Sequence, residues 1–191
     1  MPPKCKFTRE EIIKTALDLT REEGINALTA RALGAKLGSS PKPIFTVFEN
    51  MEEVQSEVQR AAKTLYAEYI QIGLGQEAAF KGVGTQYILF AIKEPKLFQL
   101  LFMSEQPQKP SVEGILPIID ESYGQILQSV QSGYGLGMKD AENLYRHLWI
   151  YTHGIAVLCA TNMCSFTAEE ISGMMTEVCR SLLKEIKSDK A

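Results

Sequence analysis

The sequence predicts an all-α fold, with a three-helix helix-turn-helix unit over residues 1–50 and a helical bundle over residues 51–191. Three observations carry this. Apolar residues recur at helical spacing, and two stretches open with a reciprocal Thr-x-x-Glu cap, Thr8 to Glu11 and Thr167 to Glu170. No apolar–polar alternation lasts long enough to build a sheet. The charge also changes sign near residue 50. Residues 1–48 hold eight Lys/Arg against five Asp/Glu, whereas the remainder holds twelve against eighteen, within a net charge of −3. A basic module joined to an acidic body is the asymmetry expected if only the front end meets phosphates.

Taken in order, the first helix runs from Phe7 to Glu23, with Ile12, Ile13, Ala16, Leu17 and Leu19 apolar and Gly24 as its stop. Thr29 caps a second helix, Ala30 to Leu37, closed by Gly38. Ser40 to Val47 is expected as a third short helix, and Met51 to Ile72 as a long fourth one broken by Gly73 and Gly75. Further helices are expected at Ala78–Lys93, Lys96–Met103, Val112–Ser132, Asp140–Cys164 and Ala168–Lys187. Ser104–Pro110 reads as a loop and Gly133–Gly137 as a connector.

The stretch from Leu28 to Phe48, LTARALGAKLGSSPKPIFTVF, is the most informative. Leu33, Leu37, Ile44 and Val47 fall where two short helices must pack on each other. Gly34 is small at their approach, and Gly38 sits at the turn, where positive φ is needed. Two prolines fit a following helix if Ser40 is its cap, because Pro41 and Pro43 then occupy the first turn, where amides have no intrahelical partner. Lys42 precedes a proline, which disfavours helical φ/ψ and predicts a rigid, distorted turn. Lys42 and Thr46 are the expected base readers, with Ser39 and Ser40 near phosphate or base edges. Thr29 and Arg31 face phosphate, and Lys4 and Lys6 extend from the N-terminal arm. An ordinary helical hairpin with solvated charges is the competing interpretation.

The order of these positions carries a resemblance. Ile12-Ile13-Lys14-Thr15-Ala16-Leu17-Asp18-Leu19, Gly24, Ala27–Leu33, Leu37-Gly38, Ile44-Phe45 and Phe48–Val54 together resemble the DNA-binding domain of the tetracycline-repressor family. Trp149…His153-Gly154 resembles a Trp…His-Gly motif in the regulatory domain of one subgroup. The resemblance implies a ligand-responsive, homodimeric repressor that binds a pseudo-palindromic double-stranded DNA operator. It assigns residues 1–50 to DNA binding and residues 51–191 to effector binding and dimerisation through the last two helices. Two positions depart from the family pattern. Phe45 stands where a tyrosine hydroxyl commonly reaches phosphate, and Met51 where a lysine often stands. They keep a second reading open, a small-molecule-binding or scaffolding protein with a degenerate helix-turn-helix.

In the body, aromatic residues suggest a ligand pocket: Tyr66, Tyr69, Tyr87, Phe90, Phe102 and Tyr123, with Trp149 and His153 as polar handles. Two apolar stripes suggest a dimer interface, Leu144, Leu148, Tyr151 and Ile155 on one helix and Ile171, Met175, Val178 and Leu182 on the next. An intramolecular core explains the same stripes equally well from spacing alone.

Catalytic motifs are missing: there is no His-Glu-x-x-His, Gly-x-Ser-x-Gly or P-loop, so no enzyme is expected. The four cysteines form no CxxC pair and read as small buried hydrophobes of a reducing cytoplasm. With two histidines in non-metal spacing, neither a metal nor another cofactor is expected. No stretch approaches the roughly 20 apolar residues of a membrane span, so the expected partners are DNA, a second copy and an unidentified small-molecule effector.

Overall fold

A computed structural model describes residues 6–105 and 109–188. The described residues form helices and turns with no strand: α1 (Arg9–Glu23), α2 (Ala30–Lys36), α3 (Met51–Leu74), α4 (Ala79–Lys93), α5 (Pro95–Phe102), α6 (Ile115–Ile119), α7 (Tyr123–Tyr134), α8 (Met138–Ala160) and α9 (Ala168–Ser188). None of the described helices is long and apolar enough to cross a membrane. The chain divides into two compact units, residues 1–65 with 94–104, and residues 66–93 with 105–191. Helix α3 contributes to both.

In the first unit, α1 packs on α2 and α5. Both halves of the Thr8–Glu11 cap form, the Glu11 amide donating to Thr8 Oγ1 (3.1 Å) and the Thr8 amide to Glu11 Oε2 (2.8 Å). Gly24 ends α1 at φ 89°. The end of α2 is a Schellman motif, in which Gly38 lies at φ 64°, its amide donating to Ala35 O and that of Ser39 to Gly34 O.

The expected third helix does not form. Residues 40–47 make turns and a short 3₁₀ segment, Ile44–Thr46. Here Ile44, Thr46 and Val47 donate to carbonyls three residues back, those of Pro41, Pro43 and Ile44. Two missing proline amides and the pre-proline Lys42 leave too few α-type bonds to repay helix nucleation, so the backbone tightens into 3₁₀ turns. The segment is nonetheless well anchored. Ile44 and Phe48 are buried, and a Cβ on Gly34 would lie 3.0 Å from the Pro41 nitrogen.

The second unit is built around α4, which packs on α8 and on α7, with α9 against α8. Three boundaries differ from the sequence reading. Helix α3 runs through Gly73, whose missing side chain serves close packing against α4. The stretch expected as one helix from Val112 to Ser132 is broken at Asp120, which is extended (φ −128°, ψ 113°) and whose Oδ1 accepts from the Ser122 amide (2.8 Å). Helix α8 stops at Ala160, because Asn162 adopts φ 55° and the Met163 amide donates back to Leu158 O, a second Schellman ending. Cys164 therefore lies outside the helix and is exposed, and Cys159 and Cys179 are only half-buried, so these three do not behave as core residues. Cys5 lies outside the described residues.

Candidate functional site

In the first unit, the basic residues separate into tied and untied groups. Lys36 is paired with Glu22. Arg9 is held by Glu53 (2.8 Å) and Glu57 (2.9 Å), and its guanidinium stacks 4.3 Å above the ring of buried Phe48. Arg9 thereby joins the start of α1 to the start of α3. Hydrogen bonds hold both glutamates below the usual carboxylate range: for Glu53 first the Glu49 amide and then Arg9, for Glu57 first Arg9. Sequence reading missed this cluster, although the spacing of Glu53 and Glu57 on one helix face was a visible signal.

Arg31 and Lys42 are exposed, as are Thr29, Ser40, Phe45 and Thr46. Lys6 donates to Ser39 Oγ (3.1 Å). Thr29 Oγ1 accepts from the Ala32 amide (3.2 Å), so the hydroxyl oxygen serves as a helix cap. Thr46 Oγ1 donates to Pro43 O (2.6 Å), which commits its proton within the turn. Phe45, 45% exposed, presents an apolar ring. Lys4 lies outside the described residues.

In the second unit, a cavity of about 390 Å³ is walled by one face of each of several helices. Helix α4 contributes Phe80, Val83, Gly84 and Tyr87, α8 contributes Tyr145, Leu148, Trp149 and Thr152, and α9 contributes Met175, Cys179 and Leu183. Tyr66, Asp120 and Tyr134 complete the inner wall, while exposed Lys81 and Arg180 stand at its edge. Of the expected pocket residues, Tyr66, Tyr87 and Trp149 line it. His153 stands behind them, its Nδ1 2.9 Å from the Tyr87 hydroxyl and its ring stacked on Trp149 at 5.1 Å. Burial lowers the His153 pKa, which favours a neutral ring whose Nδ1 accepts from Tyr87. Tyr69 packs edge-on against fully buried Phe90, and Tyr123 stacks behind Tyr145, its hydroxyl on Glu142. Phe102 belongs to the first unit, against Phe98.

Phe80, Tyr134 and Tyr145 were missed. Tyr145 is one turn before Trp149, and the spacing Tyr145-Leu148-Trp149-Thr152 marks one helical face, which could have found it. Asp120 was also missed. It is 6% exposed, and its Oδ2 accepts from the Tyr66 hydroxyl at 2.8 Å. Burial raises its pKa and that of Tyr66, and also drives the Tyr87 and Tyr145 phenols upward.

The stripes expected at a dimer interface are divided. Leu144, Leu148, Ile155 and Ile171 are buried within their own unit. Met175 turns to the cavity, where its sulfur accepts from Thr152 Oγ1 (3.3 Å). Tyr151, Val178 and Leu182 stay half-exposed, and Ile150 is 49% exposed.

A family model described as "Tetracyclin repressor-like, C-terminal domain" matches residues 80–182, more than half of the chain. The chain belongs to the tetracycline-repressor family. Among curated proteins it is similar to the uncharacterized HTH-type transcriptional regulator YobS of Bacillus subtilis (strain 168), at 20% identity over 175 residues, which span 89% of this chain and 87% of the relative. As a member of the tetracycline-repressor family it is a DNA-binding transcriptional regulator. The matched region takes in α7 and α8 whole, all of α4 but its first residue and most of α9, helices that wall the aromatic cavity.

Proposed function

We propose that the protein is a ligand-responsive repressor that binds a pseudo-palindromic operator as a homodimer. Residues 1–50 contact DNA, and residues 51–191 bind the effector and dimerise. The observation that carries the DNA side is the close approach of Gly34 to Pro41. It seats the Pro-Lys-Pro turn with Ile44 and Phe48 inward and leaves Lys42, Phe45 and Thr46 outward. Lys42 is the residue with a free donor at a base or phosphate, Arg31 adds charge, and Phe45 and the prolines offer apolar contact to thymine methyls or sugars. The aromatic cavity is the effector site. Dimerisation uses the outward faces of α8 and α9, where Ile150, Tyr151, Val178 and Leu182 keep exposed area. By linkage, an inducing effector binds the DNA-incompetent state more tightly than the DNA-bound one.

A second reading has one observation in its favour. The segment that would read bases is a 3₁₀ turn instead of a helix, as expected of a helical ligand-binding protein whose helix-turn-helix has degenerated. Fluorescence anisotropy on labelled DNA from upstream of the protein's own gene, across a salt series and with unrelated competitor, separates the two. Binding that resists competitor and weakens with salt is expected of the repressor. If a selection over genomic fragments also recovers no preferred site, the repressor reading fails.

A further inference from the structure

We propose that the cavity of the second unit takes a compact organic cation, held on aromatic faces with its positive charge directed to the Asp120 carboxylate. This rests on the reading of that cavity as the effector site. Asp120 is the buried charged group of the cavity wall, and its carboxylate has two partners among the described residues, the Tyr66 hydroxyl and the Ser122 amide. It has no ion pair there, and the nearby charge that acts on it is that of Glu121, of the same sign. A buried carboxylate without a cation is expensive, and a ligand that supplies the cation recovers that cost.

The surrounding chemistry suits such a ligand. The faces and edges of Tyr66, Phe80, Tyr87, Tyr145 and Trp149 surround the same space, and aromatic faces attract cations most strongly where water is excluded. The Tyr145 hydroxyl has no hydrogen-bond partner among the described residues, although the side chain is only 4% exposed. It is available to a ligand donor. Lys81 and Arg180 do not reverse this preference. Both are exposed and hydrated at the edge, so their charges are screened, while an anion placed inside would face Asp120 in a low-dielectric space. The volume of about 390 Å³ limits the ligand to one or two rings.

The test uses three ligands of matched shape: (4-hydroxyphenyl)trimethylammonium, the neutral 4-tert-butylphenol and the anionic 4-hydroxybenzenesulfonate. Trp149 is the single tryptophan of the chain and lines the cavity, so its fluorescence reports occupancy, with calorimetry as a second readout. The cation is expected to bind the unaltered protein at least tenfold tighter than either analogue. Hydrophobicity favours the neutral compound, so such a preference cannot come from burial alone. Asp120→Asn is expected to remove the tenfold gap while leaving affinity for the phenol unchanged. Equal binding of cation and phenol, or a preference for the sulfonate, overturns the proposal, and this comparison needs no variant to fold. Cation binding that leaves DNA affinity unchanged keeps the proposal and removes ligand response from the function. DNA release by the phenol or the sulfonate, with no cation preference, overturns the proposal and leaves the repressor reading standing.

Discussion

Gly73 in α3 and Val83 in α4 meet backbone to backbone: a Cβ on Gly73 would lie 2.7 Å from both the nitrogen and the Cα of Val83. Gly82, beside Val83, faces the Gly73 carbonyl with still less room. The two glycines set how closely the end of α3 approaches the start of α4. Gly73→Ala is expected to destabilise the protein by about 1–3 kcal/mol through overpacking, even though alanine is the better helix former by about 1 kcal/mol. Gly154 is the internal control, because nothing lies within 4 Å of its would-be Cβ. In the monomer, Gly154→Ala should be neutral or stabilising. Urea unfolding of both variants checks this, and equal stabilisation by the two would show that the α3–α4 crossing has slack.

Arg9 and its two glutamates predict an acid-sensitive step in the first unit. Folding lowers the pKa of Glu53 and Glu57, so the stability they add is complete above the ordinary carboxylate value. It is lost as pH falls through their folded values. Arg9→Gln should melt at a lower temperature than the wild type at pH 7. The gap should narrow on acidification towards pH 3, and added salt should narrow it too. A gap independent of pH would assign the effect of Arg9 to its stacking on Phe48.

Lys42→Ala should weaken binding to a selected operator by about 1–3 kcal/mol if the ammonium reads a base. If it touches phosphate instead, the loss should be uniform across sequences and the salt slope should fall by about one. The oligomeric state should not change. Anisotropy titrations on the operator and on scrambled DNA distinguish these cases, and unchanged affinity on both would remove Lys42 from the interface.

Ile150→Glu places a charge on the outward face of α8, where the native side chain is 49% exposed within its own chain. It should leave the circular dichroism spectrum intact and convert a dimer to a monomer in sedimentation velocity. A dimer of unchanged stability would move the interface away from this face of α8.

Much of the fold was legible because its determinants are local. The Thr8–Glu11 and Thr167–Glu170 caps, Gly24 and Gly38 as helix stops and the proline opening α5 each act within a few residues. The candidate DNA-facing residues were nameable for the same reason, since spacing along a short hairpin decides which positions point out. Reading failed where a residue answers to a distant partner. Gly73 looks like a helix stop in sequence, yet its reason is Val83. Val112–Ser132 reads as one helix, yet Asp120 interrupts it while bonded to Tyr66, 54 positions away. Cavity membership was the least legible, because Tyr134 and Tyr145 differ from core aromatics only in what faces them.

The helical class, the caps and the basic front end against an acidic body are readable from the chain alone. These follow from hydrogen bonds and periodicities that close within one or two turns. Tertiary structure decided that the Val112–Ser132 stretch is interrupted at Asp120, which is bonded to Tyr66. It also decided which apolar stripe residues are spent inside their own unit, and that a carboxylate and several aromatics line one cavity. Each depends on side chains far apart in the chain competing for the same volume, and packing, not propensity, settles that competition.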